Sequence, residues 1–124
     1  MKMLEITLPK ITDGRGNLSF LESYSHIPFE IQGVHLLNIF DTNDIYIFND
    51  NGDTKFCFIA LSGSFLLGND DVDNKDDVGY FFLGVANKAV VIDEKTNFAL
   101  FKFSENTVVL ILSSTRNINF IKRA

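Results

Sequence analysis

The stretch that decides the fold is "IYIFNDNGDTKFCFIALSGSF", residues Ile45–Phe65. Its right half, Phe56 to Leu61, is an unbroken apolar run followed by Ser-Gly-Ser, and a second apolar run, Phe65–Leu67, starts at once. Such runs are buried strands, and the pair predicts a tight hairpin with Gly63 at its tip. The left half, with a strand predicted near Tyr46–Asn49, puts Asn49, Asp50 and Asn51 on a strand, although strands disfavour Asn and Asp. An Asn-Asp-Asn triplet there needs a reason, and inward-facing polar residues at the mouth of a barrel are a common one.

The same texture extends outward from this stretch. Short segments of alternating or continuous apolar character are separated by Gly, Asn, Asp and Ser, and no window carries a long helical period. Strands are predicted near Leu4–Leu8, Asn17–Glu22, Gly33–Phe40, Tyr46–Asn49, Phe56–Ser62, Ser64–Asn69, Tyr80–Leu83, Ala89–Ile92, Asn97–Phe103 and Val108–Ser114. "DGRG" (Asp13–Gly16), "LSGS" (Leu61–Ser64) and "SEN" (Ser104–Asn106) read as turns. With 124 residues, 46% of them hydrophobic, the chain is one domain over 1–124 with material for a single core. An all-β antiparallel sandwich or barrel follows, and a closed or double-sheet jelly roll leaves the fewest exposed edges.

Charge and composition exclude several function classes. The formal net charge is −5 and the few basic residues are scattered, so the phosphate-binding surface of a nucleic-acid protein is missing. No apolar run approaches a membrane span or a signal peptide, and a cytoplasmic protein with no membrane partner is the expectation. The single Cys57 sits in the apolar run and reads as a buried, inert thiol. The acidic tract Asn69–Gly79 lacks the Gly and terminal Glu of an EF-hand loop and reads as a solvated hairpin loop. With two His, His26 and His35, far apart in sequence, no metal or other cofactor is expected. His26, beside Pro28, is expected to be exposed. In "GVHLLNIF", alternation puts Val34, Leu36, Asn38 and Phe40 on one face and His35, Leu37 and Ile39 on the other. A His among such neighbours is either a satisfied structural residue or a base, and the residues leave both open. No nucleophile elbow and no phosphate-binding glycine loop appears.

Four blocks carry a resemblance: "ITDGRGNLSFLE" (Ile11–Glu22), "IPFEIQGVHLL" (Ile27–Leu37), "FNDNGDTKFCFIALSGSF" (Phe48–Phe65) and "FSENTVVLILSS" (Phe103–Ser114). Taken in this order, they resemble the dTDP-sugar 3,4-ketoisomerases, small WxcM-like cupins related to the RmlC-type dTDP-sugar epimerases. The resemblance implies a cupin-type jelly-roll barrel, a homodimer, and a thymidine-diphosphate deoxyhexose held in the barrel mouth. It also implies a metal-free proton transfer by a barrel His, which moves a keto group between C3 and C4. Arg15 falls on the family Arg expected near the diphosphate, where a planar fork suits phosphate oxygens; the bland reading, an exposed Arg in a turn, stays open beside it.

The departures from the family pattern bear on the chemistry. Where relatives carry Arg-Gly-Phe-His-x-His, this chain has Tyr46, Ile47, Phe48, Asn49, Asp50 and Asn51. The following Glu or Gln falls near Lys55 and Phe56, the Tyr pair of the preceding strand falls on His35 and Leu36, and Thr96–Ser104 holds no His. Asn does not titrate near neutral pH, so Asn49 and Asn51 cannot act as the base. The expected function is a catalytically inactive relative that binds a nucleotide sugar or assists surface-polysaccharide biosynthesis, with Arg15, Tyr46, Asn49, Asn51 and Lys55 as ligand-binding candidates. Two alternatives are kept: an active isomerase or epimerase with relocated groups such as His35, Tyr46 or Lys55, and a non-catalytic structural or interaction barrel. Filling of the barrel mouth by Phe48, Phe58, Phe98 and Phe101 would favour the last.

Overall fold

A computed structural model describes residues 3–13, 16–19, 21–49, 51–69, 80–85, 87–93 and 95–123. The tract 70–79, Arg15 and Asp50 lie outside them, and with these the expectations placed on the acidic loop and on Arg15. Among the described residues twelve strands run in chain order. They are β1 (Met3–Thr7), β2 (Lys10–Asp13), β3 (Gly16–Ser19), β4 (Gly33–Asn38), β5 (Ile45–Phe48) and β6 (Phe56–Ser62), then β7 (Phe65–Asn69), β8 (Phe81–Leu83), β9 (Lys88–Ile92), β10 (Phe98–Phe101), β11 (Val108–Ser113) and β12 (Ile121–Arg123). They build two five-stranded antiparallel sheets, β1-β9-β6-β11-β4 and β12-β5-β10-β7-β8, while β2 and β3 form a separate hairpin. This is the expected all-β jelly-roll layout.

The inner faces of the two sheets share one core. Phe56, Phe58 and Ala60 of β6, Val90 and Ile92 of β9, and Val109 and Ile111 of β11 meet Tyr46 and Phe48 of β5, Phe65 and Leu67 of β7, and Phe98 and Leu100 of β10. The outer face of the first sheet is buried as well. Cys57 and Ile59 of β6, Ala89 and Val91 of β9, and Leu112 of β11 lie against Leu8, Ile27 and Phe29. A strand covered on both sides has no solvent face to fill with polar residues. That is why Phe56–Ala60 reads as continuous apolar sequence.

Several sequence expectations need correction. Gly63 has the positive φ a turn requires (70°), but β6 and β7 do not pair. The turn carries the chain from one sheet to the other, so "LSGSF" is a corner and not a hairpin. The left-hand strand ends at Phe48, and Asn49 and Asn51 stand in the connection to β6. The strand expected at Asn17–Glu22 is instead the end of a β2–β3 hairpin. Residues 121–123, which are not among the predicted strands, form β12 along β5. His26 is half-buried and not exposed, because its Nδ1 accepts the amide of Glu22 at 2.8 Å.

Candidate functional site

Alternation along β4 holds: Val34, Leu36 and Phe40 are exposed, Ile39 is buried, and His35 and Leu37 face inward in part. His35 pairs across the ladder with Ile111. Gly33 makes room beside it, since a Cβ there would lie 2.5 Å from Ser113 Oγ, 2.6 Å from Thr115 O and 2.8 Å from His35 Nε2. Ser113 Oγ donates its one hydrogen to the Thr115 carbonyl at 2.5 Å. The 3.4 Å contact between Ser113 Oγ and His35 Nε2 is then a bond donated by the imidazole. Among the described residues no carboxylate bonds to His35, so the orienting acid of an acid–base pair is missing.

The middle and one end of the barrel are filled by rings. Phe48 stacks on Phe98 at 4.9 Å and meets Phe56 and Phe58 edge-on at 5.6 Å each; Phe56 and Phe58 are stacked, also at 5.6 Å. All four are buried to within 1%. Phe101 does not join them; its ring lies 5.6 Å from Tyr80, outside the shared core. Beside these rings, the space lined by Asn49, Asn51, Thr54, Phe56, Lys95 and Phe98 is only about 10 Å³. One water-sized probe scarcely fits there.

The sequence-predicted residues are not brought together. Tyr46 is buried in the core, edge-on to Phe103 at 5.8 Å, and its hydroxyl pKa is raised, chiefly by burial. Asn49 is exposed beyond the strand end. The Asn51 carboxamide is occupied by the backbone of Asn119: Nδ2 donates to the carbonyl at 2.9 Å, and Oδ1 accepts the amide at 2.8 Å. Lys55 borders a different hollow, with Tyr24, Glu30 and Gln32. Among the described residues no buried side-chain nitrogen or oxygen lacks a hydrogen-bond partner. No group of three or more His, Cys, Asp or Glu gathers among them to hold a metal ion.

Beside His35 a cleft of about 310 Å³ opens between the inner face of β4 and the segment that follows β11. His35, Leu37, Phe48 and Ile111 form its floor; Arg116, Asn117, Ile118 and Phe120 form its wall. Arg116 is exposed and makes no hydrogen bond or ion pair with the described residues. Phe120 leans on Phe48 and Tyr46, with ring centres 5.7 Å from each. Sequence reading found His35 but missed this wall, whose residues become neighbours only when the tail folds back. A larger hollow, about 720 Å³, is lined by Ile45, Leu66, Tyr80, Phe101 and Lys102 among others and holds none of the predicted residues.

Comparison with known proteins places this geometry in a family. Residues 1–119 match the family described as "FdtA: WxcM-like, C-terminal". No curated protein matches the chain. Among solved structures, a His-to-Asn mutant of the 3,4-ketoisomerase QdtA from Thermoanaerobacterium thermosaccharolyticum, in complex with TDP-4-keto-6-deoxyglucose, is similar with a TM-score of 0.82. It is 23% identical, over 96% of this chain and 86% of that one. A 3,4-ketoisomerase from Helicobacter canadensis also gives 0.82, at 21% identity over 98% and 90%. The rmlC epimerase of Mycobacterium tuberculosis gives 0.69, at 15% identity over 93% of this chain and 64% of the epimerase. These likenesses establish the RmlC-like cupin fold.

Proposed function

The chain belongs to the WxcM-like family, related to the dTDP-sugar 3,4-ketoisomerases, and from that premise we propose that it is a non-catalytic member that binds a nucleotide sugar without isomerising it. One observation carries the loss of chemistry. The place where the resemblance puts the catalytic His pair has about 10 Å³ of space and is packed by Phe56 and Phe98. Of the two Asn standing there, Asn49 points to solvent and Asn51 is spent on Asn119. A missing general base costs about 10²–10⁴-fold, and here the substrate's space is lost with it.

Binding rests on the cleft. Arg116 supplies a guanidinium suited to a diphosphate, and the partly exposed Phe120 ring offers a face for a pyrimidine. That a His-to-Asn ketoisomerase is described in complex with TDP-4-keto-6-deoxyglucose supports binding without that His. Arg15, matched to the family Arg, is a second candidate for the diphosphate, so each Arg is replaced by Ala separately. The setting is deoxysugar and surface-polysaccharide biosynthesis. A homodimer belongs to the same proposal, since Val34, Leu36 and Phe40 leave an exposed apolar row along the edge strand β4. Among the described residues no helix is long and apolar enough to cross a membrane.

The test is a thermal titration with TDP and TDP-4-keto-6-deoxyglucose, with NMR of proton exchange at the sugar C3. Ligand at a hundred times its Kd adds about 2.7 kcal/mol, a rise of several degrees in Tm. The expected result is that rise with no exchange. Exchange abolished by His35→Ala would restore the catalytic reading. No rise at millimolar ligand would favour the second reading, a structural or interaction barrel, which the phenylalanine packing of the interior supports.

A further inference from the structure

We infer that Asn51 is a positioning residue: its carboxamide straps the segment 114–120 across the end of the barrel and so builds the cleft wall, without itself touching ligand. The inference rests on the binding function proposed above. That segment, "STRNINF", links β11 of one sheet to β12 on the edge of the other, and none of its residues belongs to a strand. A polar connection of this kind is mobile unless something holds it.

Its root is held by Ser114, which donates its amide to the Lys55 carbonyl at 3.0 Å and accepts the Lys55 amide on Oγ at 2.8 Å. The Thr54 and Thr115 hydroxyls are bonded at 3.1 Å. Its far end is held by β12 on β5 and by the Lys122–Asp44 ion pair at 3.2 Å. Between these, Asn51 ties Asn119, directly before Phe120, with two bonds that join positions 68 residues apart.

The chemistry of the side chain explains why an amide stands here. A carboxamide sets a donor beside an acceptor, as a neighbouring peptide group would, so one Asn satisfies both the N–H and the C=O of Asn119. The imidazole nitrogens of His point away from opposite sides of a ring and cannot serve both groups of one residue. A carboxylate has no donor and would face the Asn119 carbonyl with like charge. On the position where the resemblance lays a catalytic His, the carboxamide therefore converts a reacting group into an anchor. Arg116, Asn117 and Ile118 depend on that anchor and on the Ser114 root to stand opposite His35.

The test compares Asn51→Ala, Asn51→Asp and Asn51→His with the wild type by amide exchange, with the urea midpoint as the control for global folding. Exchange at Asn119 and Phe120 should rise about tenfold in all three at pH 7 while β6 and β11 stay protected. Below about pH 4 the Asp side chain regains an O–H donor, so its exchange, corrected for intrinsic rate, should return toward wild type while the Ala variant's does not. A simple loss of packing would not produce that recovery. Affinity for TDP should fall about tenfold in the Ala variant. Unchanged exchange at Asn119 would overturn the anchor, and loosened exchange with unchanged TDP affinity would overturn its role in the cleft. If the wild type binds no TDP, the binding function fails with the cleft role, and the exchange arm alone still decides whether Asn51 holds the strap.

Discussion

Replacing Phe48 by Ala tests whether the barrel interior is solid, which is the ground for denying it ketoisomerase chemistry. The ring is 1% exposed and lies within 5.7 Å, centre to centre, of Phe56, Phe58, Phe98 and Phe120. A buried Phe removes on the order of 150–250 Å² from water, and at about 25 cal/mol per Å² that is roughly 4–6 kcal/mol. The void left among four rigid rings relaxes poorly, so a loss of about 3–5 kcal/mol is expected. A domain of this size has about 5–15 kcal/mol in hand, so the variant should still fold. In urea, with a slope near 2 kcal/mol per molar, the midpoint should drop by about 2 M at unchanged slope. Phe82→Ala is the control: its ring is 66% exposed and the change should stay within about 0.5 kcal/mol. A Phe48→Ala loss below about 1 kcal/mol, or equal to that of the control, would refute the reasoning, because the ring would then not be held in a close-packed interior.

Other perturbations follow from particular atoms. Gly63→Ala places a Cβ in a left-handed backbone (φ 70°) and against Thr107 Oγ1 and, at 2.8 Å, Thr107 Cα; urea titration should show a loss above about 2 kcal/mol. Gly52→Ala has a similar φ (60°) but nothing within 4 Å, so only the backbone cost of about 1 kcal/mol should appear. Burial pushes the Cys57 thiol up to about 12 from an ordinary value of 9.0. Because the folded pKa is raised, this contribution to stability is complete below pH 9 and is lost as pH rises toward 12, about 1 kcal/mol of it by pH 10. Cys57→Ala should flatten that alkaline slope in urea titrations, and a thiol reagent should label Cys57 only as fast as the chain opens. The buried Tyr46 hydroxyl has the same sign, so a residual alkaline loss should remain in the Cys57→Ala variant and shrink with Tyr46→Phe, leaving the part due to Lys122, whose bond to Asp44 also raises its pKa.

The places where sequence reading stopped short share a cause. "LSGSF" announces a sharp reversal because only glycine takes that φ easily, but local sequence does not say whether the two runs bond to each other or to other strands. The alternation of β4 put His35 on one face with Leu37 and Ile39, as the structure has it, since period-2 patterning is a local property. The triplet at 49–51 was read into a strand because Ile45–Phe48 leads straight into it. The strand ends at Phe48, and the carboxamide of Asn51 serves a backbone group 68 residues away. The cleft wall at 116–120 carries no motif at all. Its residues acquire a role only through contact with β4 and β5.

By itself the sequence determined the all-β class, a sharp glycine turn at Gly63, the buried thiol and the absence of a titrating pair at 49 and 51. Each of these follows from residue type or from periodicity along the chain. Tertiary structure alone decided that phenylalanines pack the interior between the two sheets, that Tyr46 lies in the core, that the tail returns as β12, and that Asn51 bonds to it. Packing and hydrogen bonds between residues remote in sequence depend on how two sheets close on one another, and no stretch of the chain carries that information locally.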